Sequence, residues 1–284
     1  MANYDIVIDG EPKEVTEIRH KILQTFKDLE FFEEGHKYYL HGVELPSVSS
    51  ITHRFQEPFN EQETAERYAS KNGMTAEYWL DKWHENSFRA TTCGTRVHAY
   101  GESLGWQRNG HPELILDEIM PQYNKEKGWL VPIHPKEEAI VKFMNDLPKS
   151  YHLVLNEAKV FSGLNPNKDM NPTEQYCGTF DMLYYYDGDG DKSKSGLVIF
   201  DYKTNKDLYS SYARSQGKMM YPPFDELYTE SLGNYTLQLS AYQIPLEDIG
   251  FKILGRKLIW LKEDGNYEMI KINDVTKELR NYLK

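Results

Sequence analysis

The stretch LVIFDYKT, residues 197–204, sets the strongest constraint on this chain. Four consecutive apolar residues, Leu197 to Phe200, read as a buried strand, and the run ends in Asp201 and Lys203, a carboxylate and an amine two residues apart. Side chains alternate across a strand, so Asp201 and Lys203 share one side of the sheet. Charge at the end of a buried strand is costly unless it is partnered, so this strand end needs either a structural ion pair or chemistry that uses the two groups.

The chain has 284 residues, enough for one large domain, or a core with a helical annex, around a sizeable apolar centre. Cys93 and Cys177 are its only cysteines, too few for a disulfide framework or a four-thiolate cluster, which suits a reducing cytosol. The opening MANYDIVIDGEPKEV has no basic segment followed by an apolar core, and no apolar run approaches the roughly 20 residues of a membrane span. A soluble, unexported, cytoplasmic protein without a membrane partner is therefore expected. The net charge of −11 argues at first against nucleic acid, whose phosphates are met by Lys and Arg. Position qualifies this, because from Asp201 onward 12 Lys and Arg balance 12 Asp and Glu, and the whole acidic excess lies earlier. A local basic strip of Lys203, Lys206, Arg214 and Lys218 remains compatible with that distribution, and some of the carboxylates could be neutralised by metal.

No internal repeat, low-complexity tract or long linker interrupts the chain. Residues 31–55 read as two short strands around LHGVE, then a capped helix start in PSVSSI. From Asn60 to about Leu104 the pattern is helical, with EQETAERYAS, TAEYWLDKWHE and GTRVHAYGESL as separate helices. After a helix near PKEEAIVKFMNDL come three strands, YHLVLNEAKVFS, YCGTFDMLYYY and GLVIFDYKT. The helix NYTLQLSAYQIPLED follows, which Pro245 should end or kink. Strands in FKILGRKLIWLK and NYEMIKI and a helix in DVTKELRNYL close the chain. Helices before, within and after one sheet indicate an α/β architecture.

DGDGDKSKSGLV starts like an EF-hand calcium loop, but Lys192 stands where Gly is needed and Val198 where a bidentate Glu is needed, so it reads as a solvated hairpin turn. That hairpin joins Asp181 to Asp201 on adjacent strands, where both carboxylates can reach one hard cation such as Mg²⁺ or Mn²⁺. Lys203 then stands beside the metal, placed to hold or deprotonate a water or to offset charge on a phosphate. A plain Asp–Lys ion pair at a sheet edge is the alternative. His98 and Glu102 lie four apart on a predicted helix and share a face from which either could reach the metal. Glu157 sits among apolar strand neighbours and requires a partner. Gln238 and Tyr242 also lie four apart on one helical face.

In this order the residues resemble the PD-(D/E)XK nucleases, and within them the RecB-like exonuclease group. The group's G-T-x-x-H helix, G-x-x-D strand, D-x-K-T strand and Q-x-x-x-Y helix match Gly94 to His98, Gly178 to Asp181, Asp201 to Thr204 and Gln238 to Tyr242. The resemblance covers about residues 90–260, and HKYYLHGVELPSVSSIT is similar to the N-terminal hairpin of phage-type stand-alone members. It implies a restriction-endonuclease-like α/β core, a central mixed β-sheet flanked by helices, with an N-terminal hairpin and helical annex in residues 1–90 and the core in 91–284, as one continuous globular unit.

The resemblance further implies that His98, Asp181, Asp201 and the Tyr202 carbonyl hold Mg²⁺ or Mn²⁺, and that Lys203 activates the attacking water. Gln238 and Tyr242 would orient Lys203 or the DNA backbone, and Glu157 would help order the site. Glu102 is an added candidate, as ligand of a second metal. The reaction would leave 5′-phosphate and 3′-hydroxyl ends, in recombination or DNA end processing. Thr204, Lys206, Tyr209, Tyr212, Arg214 and Lys218 are the candidate DNA contacts, with bases stacking on the two tyrosines. Some relatives carry four cysteines for an iron–sulfur cluster, which two cysteines do not support. No G-x-x-x-x-G-K-[ST] loop is present, so any helicase or recombination partner is a separate chain. An endonuclease of the same fold, and an inactive DNA-binding or assembly protein, are the competing functions.

Overall fold

The computed structural model describes residue 6 and residues 8–284. In chain order its elements are α1 (Lys13–Thr25), β1 (Leu29–Phe32), β2 (Lys37–Leu40), β3 (Val43–Leu45), α2 (Val48–Thr52), α3 (Glu61–Asn72) and α4 (Ala76–Arg108). There follow β4 (Tyr123–Asn124), β5 (Trp129–Leu130), α5 (Pro135–Asp146), β6 (Tyr151–Phe161), β7 (Cys177–Tyr186) and β8 (Gly196–Lys203). The chain ends with α6 (Ser211–Ser215), α7 (Ser231–Asp248), β9 (Ile253–Leu261), β10 (Tyr267–Ile272) and α8 (Thr276–Tyr282).

A five-stranded sheet in the order β10-β9-β8-β7-β6 organises the molecule. All its neighbours are antiparallel except β8 and β9, which are parallel, so the sheet is mixed. A parallel pair needs a crossover, and α6 and α7 supply it. Strand β8 lies in the middle with both faces covered, which is why Leu197 to Phe200 could all be apolar. Tyr202 turns to the side of α4 and α5, where it meets the Phe143 ring edge-on. Asp201 and Lys203 take the α7 side, where the Lys203 amine lies over the Tyr235 ring.

The N-terminal strands form a separate three-stranded sheet, one strand more than the sequence suggested, because β1 pairs with β2 across residues 33–36. Its far end joins the main sheet through a bridge between Ser47 and Cys177. Ser47 also caps α2, its side chain accepting from the Ser50 amide at 3.2 Å. Helix α1 rests on β6 through Arg19, which is fully buried and donates to the Leu153 and Val154 carbonyls and to both Glu11 carboxylate oxygens.

Two expectations are corrected. TAEYWLDKWHE and GTRVHAYGESL belong to one 33-residue helix, α4, so the boundary expected at 90/91 falls inside it. Gly94, Gly101 and Gly105 do not break this helix because all three serve packing: a Cβ on Gly101 would lie 2.6 Å from the Tyr202 ring, and one on Gly105 2.7 Å from Asn156. Pro245 does not end α7, which runs on to Asp248. Proline cannot bond the carbonyl four residues back, and here that carbonyl, on Ala241, accepts from the buried Tyr176 hydroxyl at 2.9 Å instead.

Candidate functional site

The ladder between β7 and β8 runs from Tyr186↔Gly196 to Met182↔Phe200 and stops there. One step further, Asp181 and Asp201 would face each other, and the strands part around them. Asp181 Oδ2 accepts the Tyr202 amide at 2.6 Å, where a ladder carbonyl would otherwise stand. On the other side of β7, Glu157 in β6 stands opposite Asp181 between the pairs Asn156↔Met182 and Ala158↔Phe180. Its φ of 46° is left-handed, a conformation that costs a non-glycine residue free energy and that clusters at functional sites.

Helix α4 brings His98 onto this strand end, with Nδ1 3.3 Å from Asp181 Oδ2. Single ligand-capable atoms of His98, Glu157 and Asp181 all lie within 4.8 Å of one another, close enough to share one cation. Asp201 adjoins this group and forms an ion pair with Lys203 through Oδ2. Both side chains are enclosed, with 3% and 12% of their surfaces exposed. Of the expected ligands, His98 and Asp181 converge directly and Asp201 stands next to them holding the lysine, while Glu157, expected only to help order the site, is the third member of the group. A residue's N–H and C=O point to the same neighbouring strand, so the Tyr202 carbonyl is directed towards the β7 side, as its amide is. Glu102 lies outside the group; with Glu157, Asn156 and Trp106 it lines an adjoining cavity of about 660 Å³. A larger cavity of about 1020 Å³, beside Phe88, Thr95 and Ile133, contains none of the clustered residues.

The electrostatics follow from crowding carboxylates out of water. Burial, then the charges of Asp181, Glu102 and Asp201, push Glu157 well above the ordinary carboxylate range. Burial and the Asp181 charge push Asp201 up to about 6 despite Lys203. Burial also works to raise Asp181, but His98, Lys203 and the Tyr202 amide outweigh it and hold this residue low. Burial works to lower His98 and Lys203; neighbouring carboxylates win at both, Asp181 raising the imidazole and Asp201 with Asp181 raising the amine. Glu102 is pushed up to about 7 by burial and by Glu118. Negative charge is therefore least tolerated on Glu157 and Asp201, and a divalent cation is the species that would let both ionise. The donor set of one imidazole and hard carboxylate oxygens fits Mg²⁺ or Mn²⁺.

Helix α7 covers the Asp201 side. Tyr242, buried, feels the Asp201 and Asp181 charges, and Gln238 Nε2 donates to its hydroxyl at 3.1 Å. Gln238 Oε1 is buried without a hydrogen-bond partner among the described residues. The residue that touches Lys203 from this helix is Tyr235, whose ring centre lies 4.3 Å from Nζ. Sequence reasoning missed it, although Tyr235, Gln238 and Tyr242 fall at the i, i+3, i+7 spacing of one helical face. Asn205 was missed as well: its side chain accepts from the Tyr235 hydroxyl at 2.6 Å and its carbonyl from Trp260 Nε1 at 2.7 Å. Lys136 donates to the Thr204 carbonyl at 2.9 Å. These bonds fix the backbone just past Lys203.

Among the expected DNA contacts, Thr204 is packed near Gly94, and Lys206, Tyr209, Tyr212 and Lys218 are exposed. Arg214 forms a two-pronged ion pair with Glu230, at 3.0 and 2.7 Å, so its charge is already met within the protein. No described helix is long and apolar enough to cross a membrane. Comparison with protein-family models and with curated proteins finds no match.

Proposed function

We propose that this protein is a metal-dependent deoxyribonuclease with a restriction-endonuclease-like core, an exonuclease of the RecB-like kind that acts in recombination or end processing. The observation that carries this reading is the convergence of His98, Glu157 and Asp181 within 4.8 Å, one strand away from an enclosed Asp201–Lys203 pair. Such a group answers the need of phosphodiester hydrolysis for a cation site beside a fixed positive charge. His98, Glu157 and Asp181 would hold Mg²⁺ or Mn²⁺, with the Tyr202 carbonyl directed to the same side. The bound cation would supply a more acidic water and stabilisation of charge on the scissile phosphate.

The chain's own part lies in Lys203 and α7. With its amine raised by Asp201 and Asp181, Lys203 is an ammonium, placed to orient the attacking water and to meet charge on the phosphate oxygens. Asp201 fixes its position from one side and the Tyr235 ring from another. Gln238 and Tyr242 support the Asp201 wall.

The test is degradation of end-labelled linear DNA against a closed circle in Mn²⁺. Linear DNA should be consumed to products with 5′-phosphates while the circle survives, and Lys203→Ala should slow the reaction by at least about 100-fold. Cutting of the circle would make the protein an endonuclease, and intact DNA in both arms would remove the nuclease reading.

A further inference from the structure

Beyond Lys203 the structure continues outward without a gap. The Lys203 amine lies on Tyr235, Tyr235 bonds Asn205, Asn205 receives Trp260, and Trp260 lies edge-on to Tyr209 at 6.3 Å between ring centres. Tyr209 is 40% exposed, and Arg214 stands 4.7 Å from its ring. Three residues on, Tyr212 is 58% exposed, with the Lys218 amine 5.3 Å above its ring. Residues 206–221 therefore present open aromatic surface that leads away from the catalytic lysine.

The charge of this strip is small for a nucleic-acid surface. Arg214 is neutralised by Glu230, which leaves Lys206 and Lys218 as its exposed cations without an ion pair among the described residues, next to the exposed Asp207. A surface made of rings and few cations gains little from phosphates and much from base faces. Base faces are available only in an unpaired strand, since duplex bases are covered by their neighbours above and below.

We propose that Tyr209 and Tyr212 form a stacking track for an unpaired nucleic-acid strand leading to or from Lys203, held by base stacking more than by phosphate charge. This rests on the nuclease reading for its direction, and its test is independent of cleavage. The full-length protein in a metal chelator is titrated against dye-labelled oligothymidylate of about 15 nucleotides, the matching oligouridylate and a duplex of the same length, followed by fluorescence anisotropy. The oligothymidylate should bind at least about tenfold more tightly than the duplex. With two phosphates neutralised, the plot of log affinity against log salt should have a slope of only about −1.4.

Tyr212→Ala should weaken binding about tenfold without altering the slope, and Tyr212→Phe should bind as the parent does. Tyr212 is largely exposed, so these variants keep the fold. Duplex binding equal to or tighter than single-strand binding, or a Tyr212→Ala variant that binds as the parent does, would overturn the track. Oligouridylate binding as well as oligothymidylate supports the track, as the shared base faces require. Binding of oligouridylate alone would keep the track and overturn the DNA reading. Because a chelator prevents cleavage, failure here leaves the linear-against-circle result untouched.

Discussion

Glu157→Gln should stabilise the metal-free protein at neutral pH and at the same time greatly reduce its response to Mn²⁺. Glu157 is held near Asp181, within 4.8 Å between ligand-capable atoms, and its carboxyl is raised well above the ordinary range by burial and by the Asp181, Glu102 and Asp201 charges. A carboxyl whose folded pKa is raised costs nothing below its unfolded value of about 4.3, and above it the folded state must keep a proton the unfolded state releases. The cost then grows by about 1.4 kcal/mol per pH unit until the folded carboxyl also ionises. Like charges 4.8 Å apart, at an effective dielectric of about 20, repel by about 3.5 kcal/mol, which sets the scale of the ceiling. Removing the charge should therefore gain about 2–3 kcal/mol near pH 7. For 284 residues, at about 2.1 cal/mol/K per residue, that is a rise in Tm of about 3–5 °C.

Added Mn²⁺ should move the two proteins in the opposite order. At about 100 times its Kd the ion stabilises the parent by about 2.7 kcal/mol, a further 4–5 °C, and the Gln variant, short of one anionic ligand, should gain far less. The assay is a thermal melt of both proteins at pH 4.5 and pH 7.5, in chelator and then in Mn²⁺. At pH 4.5 in chelator the two should melt together. A Gln variant that melts lower than the parent at pH 7.5 in chelator, or that keeps the full Mn²⁺ shift, would refute the reasoning.

Two further outcomes concern packing and charge. Gly101→Ala gains about 1 kcal/mol of helix propensity but forces a Cβ to within 2.6 Å of the buried Tyr202 ring, so it should destabilise by about 1–2 kcal/mol net in denaturant titration and slow the proposed cleavage by shifting Tyr202. For Glu11, burial acts to raise the carboxyl, but hydrogen bonds from Arg19 and Thr16 prevail and lower it. The stability from this pair is therefore complete above an ordinary carboxylate pKa of about 4.3 and is lost as pH falls through the lower folded value. Arg19→Met should flatten that part of the stability–pH curve, measured in urea from pH 5 down to pH 2.

The sequence by itself determined the elements whose signals are local. A run of four apolar residues marked β8 as the strand with both faces covered, alternation and turn residues marked the β7–β8 hairpin, and two-residue spacing placed Asp201 and Lys203 on one face. Hairpin register then brought Asp181 towards Asp201, because antiparallel neighbours are fixed by short-range geometry. The four short motifs in order marked the residues that the fold gathers. Tertiary structure alone decided the rest. Whether α4 breaks at its glycines depended on what lies opposite them, Tyr202 and Asn156, and both come from distant strands. Pro245 stays inside α7 because Tyr176, 69 residues earlier, takes the carbonyl that proline leaves free. The division of labour among the carboxylates was invisible for the same reason: Glu157 joins His98 and Asp181, while Asp201 holds Lys203, because of where the strands part and how one backbone angle is turned. Local spacing tells which side chains share a face; which of them touch is set by packing between segments far apart in the chain.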